Sequence, residues 1–177
     1  MMKLLIVAAS LATAVPVSAQ DAAHPVIAGY GTITPLPGAG NAPDAATPPR
    51  AVFNIAKAAV TPDAVNPGLD KVARYLNLLG SVGVRAAPGD LIVIIHGPAT
   101  PLVLNEAAYR AKFAVPNPNI ELIAALEREG VEVHVCGQAL TGHKISRDAL
   151  NPAITVDLSA MTTLTKYQMK GWAFIPD

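Results

Sequence analysis

Asp90-Leu91-Ile92-Val93-Ile94-Ile95-His96-Gly97 decides the fold. Its centre is five consecutive aliphatic residues, three of them isoleucine and one valine. A short β-branched run without polar alternation is what a strand covered on both faces looks like, and such strands belong to parallel sheets. Leu91 to Ile95 is therefore read as a central strand, with His96 at its carboxyl end.

The flanking punctuation agrees with that reading. Upstream, Ala51 to Val60 is a weaker β-prone run, followed by Asn66-Pro67, a helix start with Asn66 as cap and Pro67 at the first helical position. Leu69, Val72, Ala73, Leu76 and Leu79 then recur at helical spacing, with Asp70 four residues before Arg74 on the outer face and Gly80 and Gly83 as stops. Downstream, helical spacing returns from Leu104 to Phe113. Asn117-Pro118 repeats the helix start, Ile123 and Leu126 face inward, and Gly130 closes that helix. Val131 to Cys136 reads as a third strand, and a loop or short helix runs to Leu150. Ile154 to Leu158 is a fourth strand, Ser159 caps a helix bearing Met161, Leu164 and Gln168, and Trp172 to Ile175 is a fifth strand. Strands alternating with helices of this length imply crossover connections. The expected fold is a three-layer α/β/α sandwich with a mainly parallel sheet of about five strands, spanning residues 50–177.

Composition bounds the function. The chain has 177 residues, enough for one ordinary domain, and is 51% hydrophobic and 15% charged, which excludes global disorder. Its 13 basic and 13 acidic residues balance, so no whole-chain field attracts nucleic acid or an anionic membrane. A single cysteine rules out an internal disulfide framework.

Residues 1–19 read as a secretory signal peptide: Lys3 supplies the positive start, Leu4 to Val15 a short apolar run, and Val17-Ser18-Ala19 small side chains for cleavage. The run falls short of the roughly 20 residues that span a bilayer, so no membrane span is expected after cleavage, and the expected location is the periplasm. Residues 20–49 form a Pro/Gly-rich arm. From Pro25 to Pro49 there are six prolines and four glycines, and Asp44 is the one charged side chain. Val26, Ile27, Tyr30, Ile33 and Leu36 are apolar enough to lie along a protein surface, so an extended docking arm is favoured over a free spacer. Gly29-Tyr30-Gly31 is half of a dinucleotide fingerprint, but it precedes the first strand and carries no weight.

Ligands of open parallel sheets sit beyond the carboxyl ends of the strands. Two reactive side chains fall there, His96 and Cys136, each followed by a glycine. If their strands are neighbours they share one rim pocket, where an imidazole favours the nucleophilic thiolate. The residues alone leave both open: a lone cysteine also serves as a small buried hydrophobe, and a histidine as a partner of local backbone. His134 shares a strand face with Cys136; with His143 these are soft-metal ligand types, but three scattered residues make a weak case for a metal. Glycine-flanked nucleophile serines, phosphate-cradling loops and zinc-protease helix pairs are absent, and no cofactor is expected.

The stretch from Asn119 through Val133-His134-Val135-Cys136-Gly137-Gln138-Ala139-Leu140 resembles the DsrE/DsrF-like sulfur-relay proteins. Ile94-Ile95-His96-Gly97-Pro98-Ala99 and Tyr167-Gln168-Met169-Lys170-Gly171-Trp172-Ala173-Phe174-Ile175-Pro176 are similar to the exported branch of that family. The resemblance implies a parallel α/β/α sandwich assembling into trimers or hexamers. It also implies a cysteine that accepts sulfane sulfur as a persulfide and passes it to a partner protein; Cys136 matches that position, with His96 tuning the thiol or orienting the donor. Three expectations follow: a sulfur carrier or sulfurtransferase-like protein, a binding module for a small anion or metal, or a structural subunit with an inert Cys136.

Overall fold

The computed structural model describes residues 21–177; the expected signal peptide lies outside the described residues. Five strands form one all-parallel sheet in the order β4-β3-β2-β1-β5. The strands are β1 (Ala51–Ile55), β2 (Leu91–Ile95), β3 (Glu132–Cys136), β4 (Thr155–Asp157) and β5 (Ala173–Ile175). The helices are α1 (Pro67–Ser81), α2 (Glu106–Phe113), α3 (Ile120–Arg128), α4 (Gly137–Gly142) and α5 (Ala160–Met169), with a 3-10 segment at Gly97–Val103. β2 is buried along its whole length, as the unalternating run requires.

Alternate residues of each strand enter different cores. Phe53, Ile55, Val93, Ile95, Val133 and Val135 pack with Leu69, Val72, Leu76, Leu122 and Leu126 of α1 and α3. On the opposite face Val52, Ile92, Ile94 and Cys136 pack with Ala160 and Leu164 of α5. The sandwich is asymmetric: the second face carries a far smaller core, under a single helix.

Several boundaries differ from the sequence reading for identifiable reasons. β1 ends at Ile55 rather than Val60, because the amides of Ala56 and Lys57 turn to the side chain of Asp177. Gly80 lies inside α1 rather than ending it, and a methyl group there would meet Val26 Cγ2 at 2.3 Å. Asn117 does not cap a helix. Its Nδ2 donates to the carbonyls of Leu102 and Leu104, its Oδ1 accepts from Asn119 N, and α3 begins at Ile120. Asn66 does cap α1, accepting from the amides of Gly68 and Leu69.

The arm lies against α1. Ile27 is 2% exposed, and Asn77 of α1 holds the arm's main chain. Its Oδ1 accepts from Val26 N and Ile27 N at 2.9 and 2.8 Å, while Nδ2 donates to the carbonyls of Ile27, Tyr30 and Gly31. Asp70 Oδ1 accepts from Gly31 N, so this residue, read as an outer-face charge beside Arg74, secures the arm. Part of the apolar surface of α1 is thereby covered by the chain itself. Among the described residues no helix is long and apolar enough to cross a membrane.

Candidate functional site

The strand order makes β2 and β3 neighbours, which brings the two sequence-predicted residues together. Ile95 pairs with Val135, and Cys136 pairs with Asp157. Continuing the β2–β3 register by one residue sets His96 opposite Cys136, which pairs with Asp157, so the three residues line up at the carboxyl edge. All three side chains belong to the α5 face, since they continue the Ile94 and His134 positions by one pleat.

His96 extends the ladder by donating its main-chain N–H to Ile55 O. Gly97 then takes a left-handed conformation (φ 54°), which glycine adopts without strain, and the chain turns into the 3-10 segment. His96 Nε2 donates to Asn54 Oδ1 at 2.7 Å, one pleat back on β1, leaving Nδ1 as the unprotonated nitrogen of the neutral ring. Burial pushes the imidazole below the ordinary histidine range, and the nearby Asp177 carboxylate opposes that shift.

The sign of this shift gives a stability prediction. The folded state resists protonating His96 while the unfolded chain accepts it, so the fold loses stability as pH falls below about 6.5 and pays no such penalty above it. In His96→Gln, chemical denaturation between about pH 7 and pH 5 should show a shallower loss of stability than in the wild type. An unchanged slope would mean that His96 is not the group responsible.

Cys136 is 6% exposed and caps α4 in extended conformation. The following glycine is required by a close approach within the protein: a Cβ at Gly137 would lie 2.7 Å from Asp157 O. The β3–α4 turn therefore passes tightly over β4, and this contact, rather than a ligand, accounts for Gly137.

Asp157 was not singled out from the sequence, although a carboxylate in the run Ile154-Thr155-Val156-Asp157-Leu158 was a visible signal. Asp157 Oδ2 accepts from Thr163 Oγ1 at 2.5 Å and lies 3.0 Å from His134 Nδ1. His134 Nε2 is 3.3 Å from Glu132 Oε2, and Tyr167 OH donates to the same carboxylate oxygen at 3.5 Å. His134 is thus engaged by two carboxylates. His143 is engaged elsewhere, donating from Nε2 to Gly97 O at 2.9 Å. Among the described residues no group of three His, Cys, Asp or Glu side chains is arranged to hold a metal ion.

A cavity of about 270 Å³ lies at the carboxyl ends of β1 and β2, lined by Val60, Pro98, Leu102, Tyr109 and Phe113 among others. Its polar lining is already paired: Tyr109 OH donates to Pro62 O, and Asn119 Oδ1 accepts from Asn66 N.

Comparison with known proteins gives a family and a fold. The model of the DsrE/DsrF-like family matches residues 40–176. A solved protein of unknown function from Methanobacterium thermoautotrophicum is similar in structure, with a TM-score of 0.55 and 19% sequence identity. The match covers 73% of this chain and 99% of that one, and at this identity it speaks for the fold alone. No curated protein matches.

Proposed function

The chain belongs to the DsrE/DsrF-like family, and from that premise we propose that it is a periplasmic sulfur carrier whose acceptor is Cys136. The observation that supports this reading is the row at the sheet edge, in which the single cysteine stands between His96 and Asp157 at the carboxyl ends of three adjacent parallel strands. In the proposed step the Cys136 thiolate attacks the outer sulfur of a sulfane donor. With thiosulfate, a new S–S bond forms as the donor's S–S bond breaks, sulfite leaves with its electron pair, and Cys136 becomes a persulfide. Attack by the acceptor partner's thiolate on the outer sulfur then restores Cys136. His96 orients the donor at the rim.

The test is intact-mass spectrometry after incubation with thiosulfate, polysulfide or a cysteine persulfide. The expected result is a gain of one sulfur atom, reversed by reductant. A second reading has a specific observation behind it: Cys136 packs among Val52, Ile92, Ile94 and Ala160, as an inert structural cysteine would. No sulfur adduct with any donor, together with alkylation only after unfolding, would select that reading.

Export and self-assembly complete the proposal. Exposed large apolar side chains cluster around α5 and β5, namely Leu158, Met161, Met169 and Phe174, and surface of that kind suits contact between copies. Protein recovered from its native host should begin at Gln20 and scatter light as a trimer or a multiple of one. A retained Met1 would sink the export claim, and a monomeric mass would sink the assembly claim.

A further inference from the structure

The sheet order reverses at β1: the chain steps through β2 and β3 to β4 on one side, then returns to place β5 on the other. In open parallel sheets the crevice outside the strand ends at such a reversal is a ligand position. Here it holds a side chain of the protein. Asp177 Oδ2 accepts from two consecutive main-chain amides, Ala56 N at 2.9 Å and Lys57 N at 2.6 Å, immediately after β1. Two ammonium groups converge on the same segment: Lys57 Nζ donates to the main-chain oxygen of Asp177 at 3.3 Å, and Lys71 Nζ to Pro176 O at 2.9 Å. The adjoining strand end is that of His96, whose amide donates to Ile55 O, while Ala56 O accepts from Ala99 N.

Successive amides directed at one oxygen form an anion-binding concavity. We propose that the Ala56 and Lys57 amides are an oxyanion site masked by Asp177 as an internal ligand, and that its external ligand is a small sulfur oxyanion of the sulfate or thiosulfate class. The class follows from the chemistry present. The amides already hold an anionic oxygen, and the two lysines, which donate to the main-chain oxygens of Asp177 and Pro176, add positive charge beside it. Only the preference for thiosulfate over other oxyanions rests on the sulfur-carrier reading; the site lies two strands from Cys136, with β2 and His96 between them. A tethered carboxylate competes at an effective concentration in the millimolar range, so the external anion binds weakly until Asp177 is displaced.

The experiment follows the amide resonances of Ala56 and Lys57 in the full chain during titration with sulfate and with thiosulfate. It uses a Cys136→Ser background, with chloride at matched ionic strength as control. Asp177→Ala should bind either oxyanion roughly tenfold more tightly than the protein retaining Asp177, with these two amides shifting first. Asp177→Asn keeps an acceptor oxygen without its charge and should fall between them. A folded Asp177→Ala protein whose Ala56 and Lys57 amides do not respond would overturn the proposal, as would a response matched by chloride. Should Asp177→Ala fail to fold, Asp177→Asn decides, and affinity equal to that with Asp177 present counts against the site. Sulfur loading is measured separately on protein retaining Cys136, so failure of the carrier reading and failure of this site are distinguishable.

Discussion

Asn77→Ala should destabilise the protein by about 3 kcal/mol and release the arm from α1. The side chain is fully buried and meets the main chain of the arm through five hydrogen bonds. Alanine would leave two arm amides and three carbonyls with lost partners, at about 1–3 kcal/mol for each group that stays buried and unpaired. The arm can avoid that penalty by undocking, so the loss cannot exceed the free energy of docking. Docking rests on these five hydrogen bonds together with the burial of Ile27 and Ile33. Hydrogen exchange of Val26, Ile27 and Gly31 should then become fast while β2 stays protected.

Gly31→Ala is an independent route to the same state. Gly31 has a φ of 61°, and a Cβ there would lie 2.1 Å from Arg74 N, against the backbone of α1. Because both substitutions act by undocking one segment, the double variant should lose little more than either single variant. Unchanged stability and persistent protection of the arm amides in Asn77→Ala would show that the arm is held by its apolar contacts alone.

These contacts also show what the sequence made legible and what it hid. The sheet was readable because its signals are local: an unalternating β-branched run, Asn66 before Pro67, Ser159 before an apolar-spaced segment. Asn66 and Ser159 do accept bonds from the amides two residues on. Asn117-Pro118 also precedes a helix and Asn117 accepts from the amide two residues on, but α3 starts only at Ile120, and the asparagine in addition satisfies the carbonyls of Leu102 and Leu104. Asn77 passed unnoticed because its partners lie far upstream in the chain, and no periodicity within α1 encodes them. At the candidate site, His96 and Cys136 were visible as strand-end residues. Their adjacency depended on the strand order, and Asp157 joins them only through the β3–β4 register.

The largest chemical effect is expected at Cys136. Cys136→Ser should abolish the sulfur adduct, because a hydroxyl oxygen nearly matches the thiol in shape but cannot carry a persulfide. Placing that hydroxyl among Val52, Ile92, Ile94 and Ala160 costs about 1–3 kcal/mol if it finds no partner, so Cys136→Ala provides a second variant without a buried polar group. Both should remain unmodified by every donor. His96→Ala should instead slow loading by roughly tenfold or more while leaving the final extent of modification unchanged, as expected for a group that positions the donor and does not accept the sulfur. The thiol is largely buried and shares an apolar cluster with Ala160, the first residue of α5, and movement of that turn is the expected route by which donors reach it. Alkylation and sulfur loading should therefore share one limiting rate at high reagent concentration, set by the opening of α5 rather than by the reagent. Rates that keep rising in proportion to reagent would show a thiol already open to the donor. A His96→Ala protein that loses stability while loading at the wild-type rate would assign His96 to holding Asn54 and the end of β1, and leave Cys136 to react without it.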